Sequence, residues 1–407
     1  MKITGIIAEY NPFHLGHAYQ IAEARRITGA DYIVVVMSGD YVQRGAPAIL
    51  DKRTRTEMAL NNGADLVLEL PLRYAVSGAA DFAWGAVNIL HQLGCVDCLC
   101  FGSESGDIRP FQRIARLLSS EPLSYRQELQ RAMRDGCTYP AAHQRALLVA
   151  CREIRLFDDC DDFSLEEFLS GPNNTLGLEY LRALSRISGV IKPVTLSRTQ
   201  NNYHQETLEG SFVSATALRK TLLSDSPDYE TYVPENCLPI LSAAVKNRVF
   251  LTEDDFSRLL IYQLLSENRD SLSAYLESTT SIANRILSLM NRFETFSQFA
   301  EALKTRDMTR ARINRILLHI ILGIKKTDEA PAFIRMLGFK RTSSALLTKI
   351  KQTATAPVLG KLDKQSLESY RQDLFASNLY NQTLFQKSGI TYREEREQQL
   401  VITGEPG

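Results

Sequence analysis

The sequence predicts an α/β fold: a parallel sheet with a helical insert in the first half, then an all-helical C-terminal domain. Three observations lead there. Short β-branched runs alternate with helix-length amphipathic stretches over the first hundred or so residues, which is the pattern of βαβ units. A helical pattern occupies about 107–185, and another runs almost unbroken from about 235 onward. Gly and Pro also become sparse in the second half, apart from Pro331, Gly338, Pro357 and Gly360.

In chain order, strands are expected at 2–8 (KITGIIA), 31–37 (DYIVVVM), 64–70 (ADLVLEL), 95–102 (CVDCLCFG) and 191–197 (IKPVTLS). Helices fall between the first four at roughly 16–29, 51–62 and 79–93, and within the insert at 110–119, 124–135 and 140–154. The second half reads as helices near 237–250, 253–267, 270–291, 296–304, 309–325 and 342–353. Ser224-Asp225-Ser226-Pro227-Asp228 breaks a helix and places a domain boundary there, giving domains 1–228 and 229–407.

Composition narrows the class. The chain has 407 residues, 44% hydrophobic and 23% charged, which is ordinary globular usage with length for two or three domains. No run approaches the ~20 apolar residues of a membrane span, and the N-terminus lacks a signal-peptide pattern. Seven cysteines, an odd number, read as free thiols in a reducing cytoplasm. Cys95, Cys98 and Cys100 lie in one strand without a second Cys or His pair, so they read as small buried hydrophobes rather than zinc ligands. The 47 basic and 47 acidic side chains balance, which leaves nucleic-acid binding to local charge.

The first strand–helix junction, Gly5-Ile6-Ile7-Ala8-Glu9-Tyr10-Asn11-Pro12-Phe13-His14-Leu15-Gly16-His17, carries the chemistry. Amide groups at a helix N-terminus form a ready anion site. His14 and His17, three residues apart, can face one ligand, and Gly16 lets a phosphate approach the backbone. The set suits a triphosphate whose α-phosphorus gains charge during displacement. The competing readings are helix capping or a metal, though two His without a third ligand make a poor zinc site.

The strand followed by N-P-F-H-x-G-H resembles the HxGH nucleotidyltransferase superfamily. More narrowly, the chain is similar to the bacterial tRNA(Met) cytidine acetate ligase family. The resemblance is carried by GIIAEYNPFHLGHA (5–18), MSGDYVQRGAPA (37–48), DKRTRTEMAL (51–60), GADLVLELP (63–71), FGSESGDI (101–108), PNNTLGLEY (172–180), SFVSATALR (211–219) and APAFIRMLG (330–338). It implies a Rossmann-like catalytic domain that binds ATP along Ile7, Ala8, Glu9, Tyr10, Asn11, Pro12, Phe13, His14, Leu15, Gly16 and His17. Gly102, Asn173 (with Asn174 as the alternative), Arg198, Ser214 and Thr216 would complete the ATP site. Catalytic roles fall to His14, His17 and Asp40.

Asp40 and Arg44 follow the second strand, at the sheet edge where α/β proteins bind ligands; Asp40 would hold a metal or orient a nucleophile, and Arg44 would grip an anion. Lys52 and Arg55 open the next helix against its dipole and are further anion candidates. Ser214 would cap the helix after the S-A-T signature, and Arg219 packs or makes an ion pair. Lys304, Arg306, Arg310, Arg312 and Arg315 form a basic stripe that marks either an RNA contact or a solvated face. The resemblance implies ATP as substrate with Mg²⁺, acetate and elongator tRNA(Met) as partners, no membrane, and N4-acetylcytidine as product. A cofactor-biosynthesis adenylyltransferase and a nucleotide-gated RNA-binding protein stand as alternatives.

Overall fold

Helices cover both faces of the central sheet, which is why its strands read as continuous apolar runs rather than alternating ones. The structure is a computed structural model that describes residues 1–157, 164–187, 191–198, 215–224, 227–327 and 329–404. The first part runs β1 (Ile3–Ala8), α1 (Leu15–Thr28), β2 (Tyr32–Ser38), a hairpin of β3 (Tyr41–Val42) and β4 (Ala46–Pro47), then α2 (Lys52–Asn61) and β5 (Leu66–Leu70). After α3 (Leu72–Ala75) and α4 (Ala79–Gln92) comes β6 (Cys98–Ser103). The insert supplies α5 (Ile108–Ser120), α6 (Leu123–Arg134), α7 (Tyr139–Glu153), α8 (Leu165–Ser170) and α9 (Pro172–Ser185), and β7 (Lys192–Ser197) and α10 (Ala215–Leu223) follow.

The remainder contains α11 (Leu238–Lys246), α12 (Ser257–Ser266), α13 (Arg269–Ala274), α14 (Thr280–Leu289), α15 (Phe296–Leu303) and α16 (Arg310–Leu322). Strand β8 (Ile334–Lys340) comes next, then α17 (Ser344–Thr353), β9 (Val358–Leu359), α18 (Lys364–Ser369), α19 (Arg371–Ser388) and β10 (Val401–Thr403). The sheet order is β10-β8-β5-β2-β1-β6-β7, with β9 beside β8. Pairs β1–β2, β1–β6, β2–β5 and β6–β7 are parallel, as expected from the βαβ pattern.

The α/β class with a helical C-terminal region is the observed one, with one correction. The second half is not helical throughout, because β8 returns to pair antiparallel with β5 and brings β9 and β10 to the same sheet. The packing also changes later than residue 228. Tyr229, Val233, Cys237, Leu241 and Phe250 join Leu218 and Leu222 of α10 on the sheet face covered by α1. A separate helical core begins at Leu251 and takes in α12 to α16 and part of α19.

That helical core packs directly against the first half of the chain. Tyr41, Leu72 and Val76 are buried in it, and hydrogen bonds cross the junction from Tyr41 Oη to Ala376 O (3.2 Å) and from Tyr380 Oη to Ala48 O (2.9 Å). Between β5, α2 and α19 lies a buried charge network. Lys52 Nζ sits 2.7 Å from Glu69, 3.2 Å from Glu395 and 3.7 Å from Asp40, and it donates to Ser377. Burial alone would pull the Lys52 pKa down, but Glu395, Glu69 and Asp40 outweigh it and hold the ammonium charged.

Candidate active site

The tight turn after β1 positions both histidines. His14 caps α1: its Nδ1 accepts the Gly16 amide at 3.0 Å, and Nδ1 of His17 accepts the His14 amide at 3.3 Å. The two rings stack with centroids 3.7 Å apart. Because each Nδ1 receives a backbone N–H, the neutral ring keeps its proton on Nε2. Burial, reinforced by Arg198, lowers the His14 pKa to about 4; burial, then His14 and Arg198, hold His17 well below its usual value. Both imidazoles are therefore neutral Nε2–H donors at neutral pH. A metal on Nε2 would need the proton on Nδ1, where the amides already point, so capping and anion binding coexist here and the metal reading does not fit.

These rings line a cleft of about 490 Å³ at the carboxyl edge of the sheet, within the size range of small-molecule sites. Ile7, Ala8, Glu9, Tyr10, Asn11, Gly102, Asn173, Arg198 and Thr216 share its lining with the histidines and Arg44. Arg198 Nη1 donates to Asn173 Oδ1 at 3.1 Å, and the Arg198 stem lies over Gly102, where an added Cβ would meet it at 3.0 Å. The two Asn side chains separate by role. Asn174 is buried and fully engaged, accepting from the Glu104 and Ser105 amides and donating to Phe168 O, whereas Asn173 opens on the cleft. Phe13 is buried beneath the turn, edge-on to Tyr10 at 4.8 Å. Pro12, Leu15 and Gly16 contribute backbone shape rather than cleft surface. Ser214 lies outside the described residues.

Several candidates sit elsewhere. Asp40 is buried away from the cleft; Oδ1 accepts the Lys52 amide at 2.8 Å, so its role in the structure is to anchor α2 and pair with Lys52. Lys52 is consumed by the charge network. Arg55 is fully buried and donates to the carbonyls of Leu50, Glu9, Ser38 and Gly39, stitching the strand ends together instead of offering a free fork. In the basic stripe, Arg315 makes a two-pronged pair with Glu277 and Arg312 donates to Glu277 O. Arg310 and Lys304 both pair with exposed Glu301, and Arg306 is exposed. His319 is buried between Leu276 O and Val76 O.

Sequence reasoning underrated Arg219 and missed Gln43. Arg219 lines the cleft, donating to Asn11 O at 2.6 Å and to Thr216 Oγ1 at 3.1 Å, so it ties the histidine turn to α10. The signal was present in its place one turn into the helix after the S-A-T signature. Gln43 reaches the cleft from the β3–β4 turn, whose direction depends on distant packing. Among the described residues no group of three or more His, Cys, Asp and Glu side chains is arranged to hold a metal ion.

A parallel sheet with neutral histidine donors and arginines converging at its carboxyl edge defines a nucleotidyl transferase site, and the HIGH Nucleotidyl Transferase family model matches residues 1–397. Among curated relatives, the tRNA(Met) cytidine acetate ligase of Acetivibrio thermocellus is 36% identical over 99% of this chain and 100% of its own length. That of Caldanaerobacter subterraneus subsp. tengcongensis is 38% identical over 93% and 95%. A crystal structure of Thermotoga maritima TmcAL bound with alpha-thio ATP superposes with a TM-score of 0.86 at 30% identity, covering 99% of both chains. The chain belongs to the tRNA(Met) cytidine acetate ligase family.

Proposed function

We propose that the protein is an ATP-dependent ligase that activates acetate as acetyl-adenylate and transfers the acetyl group to N4 of the wobble cytidine of elongator tRNA(Met). The observation that carries this reading is the pair of neutral Nε2–H donors stacked at the mouth of α1 beside two arginines. In the first step acetate oxygen attacks the α-phosphorus and pyrophosphate leaves. His14 and His17 donate to the oxygens on which charge accumulates, a contribution of about 10²–10³ in rate per donor in comparable sites. Arg198 and Arg219 balance the phosphate charge. As neutral imidazoles they donate through Nε2–H without a change of protonation state during the step.

Mg²⁺ is proposed to accompany the triphosphate as its counter-ion, held mainly by phosphate oxygens and water. RNA is proposed to meet the helical half along exposed Lys304 and Arg306 and half-buried Arg310 beside them. No helix among the described residues is long and apolar enough to cross a membrane, and the proposed site of action is the cytoplasm.

The test is incubation with ATP, labelled acetate and elongator tRNA(Met), with pyrophosphate exchange measured without tRNA and nucleosides analysed afterwards. Acetate-dependent exchange and N4-acetylcytidine are the expected results. Exchange that needs a small phosphorylated substrate instead would point to an adenylyltransferase, and nucleotide-dependent RNA binding without exchange would leave a binding protein.

A further inference from the structure

Most of the cleft is built for anions, but one part of its wall is not. At the end of β1, Glu9 Oε1 accepts the Gln43 amide at 2.8 Å, and no other described residue donates to this carboxylate. Nε2 of Gln43, buried in the same cleft, has no hydrogen-bond partner in the described structure, and neither has the buried Tyr10 hydroxyl. Buried polar atoms are rarely left unpaired in native proteins, so orphans facing a cleft mark where a ligand's polar groups belong. The negative carboxylate is the wrong group for a triphosphate or an acetate ion. It suits a ligand that donates, and an exocyclic amine on a base edge is the donor a carboxylate commonly reads.

We infer that Glu9 is the general base of acetyl transfer, accepting the N4 amine of the acceptor cytosine while Gln43 Nε2 donates to an acceptor on the same base edge. This rests on the ligase function proposed above. In the step, the bond from N4 to the acetyl carbon forms and the bond from that carbon to the phosphate-bridging oxygen breaks. AMP departs with the electron pair, and the N4 proton passes to Glu9. A base matters because the N4 lone pair is delocalised into the ring, and a positioned base contributes about 10²–10⁴ in rate.

The surroundings tune the carboxylate for the task. Burial pushes the Glu9 carboxyl up, against the pull of the Gln43 amide and of Arg219, Arg44 and Arg55; Tyr180 of α9 also faces it. The raised value makes a better proton acceptor than a solvated carboxylate, and Arg219 and Arg44 oppose the rise.

Glu9→Gln tests this, since the amide oxygen can still accept from Gln43 but takes no proton. Supplied with acetyl-adenylate and elongator tRNA(Met) transcript, the variant should transfer acetyl at least ~100-fold more slowly than wild type. Its acetate-dependent pyrophosphate exchange should fall by a much smaller factor. The wild-type transfer rate should rise with pH through one ionisation that the variant lacks, and Glu9→Asp should restore part of both. Equal losses in the two half-reactions, or an unchanged pH profile, would overturn the role of Glu9. Wild-type protein that cannot acetylate tRNA from acetyl-adenylate would instead overturn the ligase function itself.

Discussion

Replacing Gly45 with Ala should damage the protein from a distance. Gly45 sits at φ +75° in the β3–β4 turn, and a Cβ there would fall 2.5 Å from the Asn314 carbonyl carbon and 2.8 Å from Arg315 Cα. Both are backbone atoms of α16, so no rotamer change relieves the clash. A non-glycine residue in the left-handed region costs about 1–2 kcal/mol, and overpacking against fixed atoms adds about 1–3. Gly323, at φ +71° with nothing within 4 Å of the added Cβ, supplies the control. Gly323→Ala bears the backbone cost alone. Urea unfolding at matched m values should therefore place Gly45→Ala lower in stability than Gly323→Ala by about 1–3 kcal/mol. Because Gln43 and Arg44 ride on the same turn, acetyl transfer should also slow in Gly45→Ala. Equal stability losses in the two variants would show that the hairpin yields to α16 and that the junction is not rigid.

Three further outcomes are expected. His17→Ala should slow acetyl-adenylate formation by at least ~100-fold, the scale of removing one donor, and unchanged pyrophosphate release would remove His17 from the mechanism. Neutralising Lys304, Arg306 and Arg310 should weaken tRNA binding and flatten its salt dependence by ~0.7–0.9 units for each phosphate the protein no longer neutralises, while exchange without tRNA persists; an unchanged slope would make these cations a solvated rim. Lys52→Met should destabilise the fold by about 3–5 kcal/mol, because Glu69, Glu395 and Asp40 would be left without their shared cation, and a chemical-denaturation midpoint equal to wild type would refute that pairing.

The strand–turn–helix at residues 3–28 was legible because its determinants are local: an apolar run, a turn and a capping histidine. Asn173, Arg198 and Thr216 were legible through motif resemblance, and the structure sets them along the same cleft. Charge without neighbours misled elsewhere. Lys52 and Arg55 look like anion ligands in one dimension, yet each is surrounded by acceptors contributed by residues far along the chain. Arg312 and Arg315 met the same fate through Glu277, some 35–38 residues away. Strand β8 was read past because Arg335 and Lys340 interrupt its apolar pattern; in the structure Arg335 lies opposite Glu69 of β5 and is buried beside Glu395, residues far from it in the chain.

The late arrival of β8 also shapes the history of each molecule. During synthesis β1, β2 and β5 emerge early, and the outer edge of β5 then has no neighbour until residues 334–340 have left the ribosome. An open hydrophobic edge is a template for pairing with another nascent chain. The strand Leu66-Val67-Leu68-Glu69-Leu70 carries one carboxylate. Until Tyr370 and Glu395 have been made and close over it, Glu69 stands as a charge in an otherwise apolar strand, the kind of residue that disfavours edge-to-edge pairing. The residue that joins the buried network in the finished fold is thus also the one charge in the strand that waits longest for its neighbour.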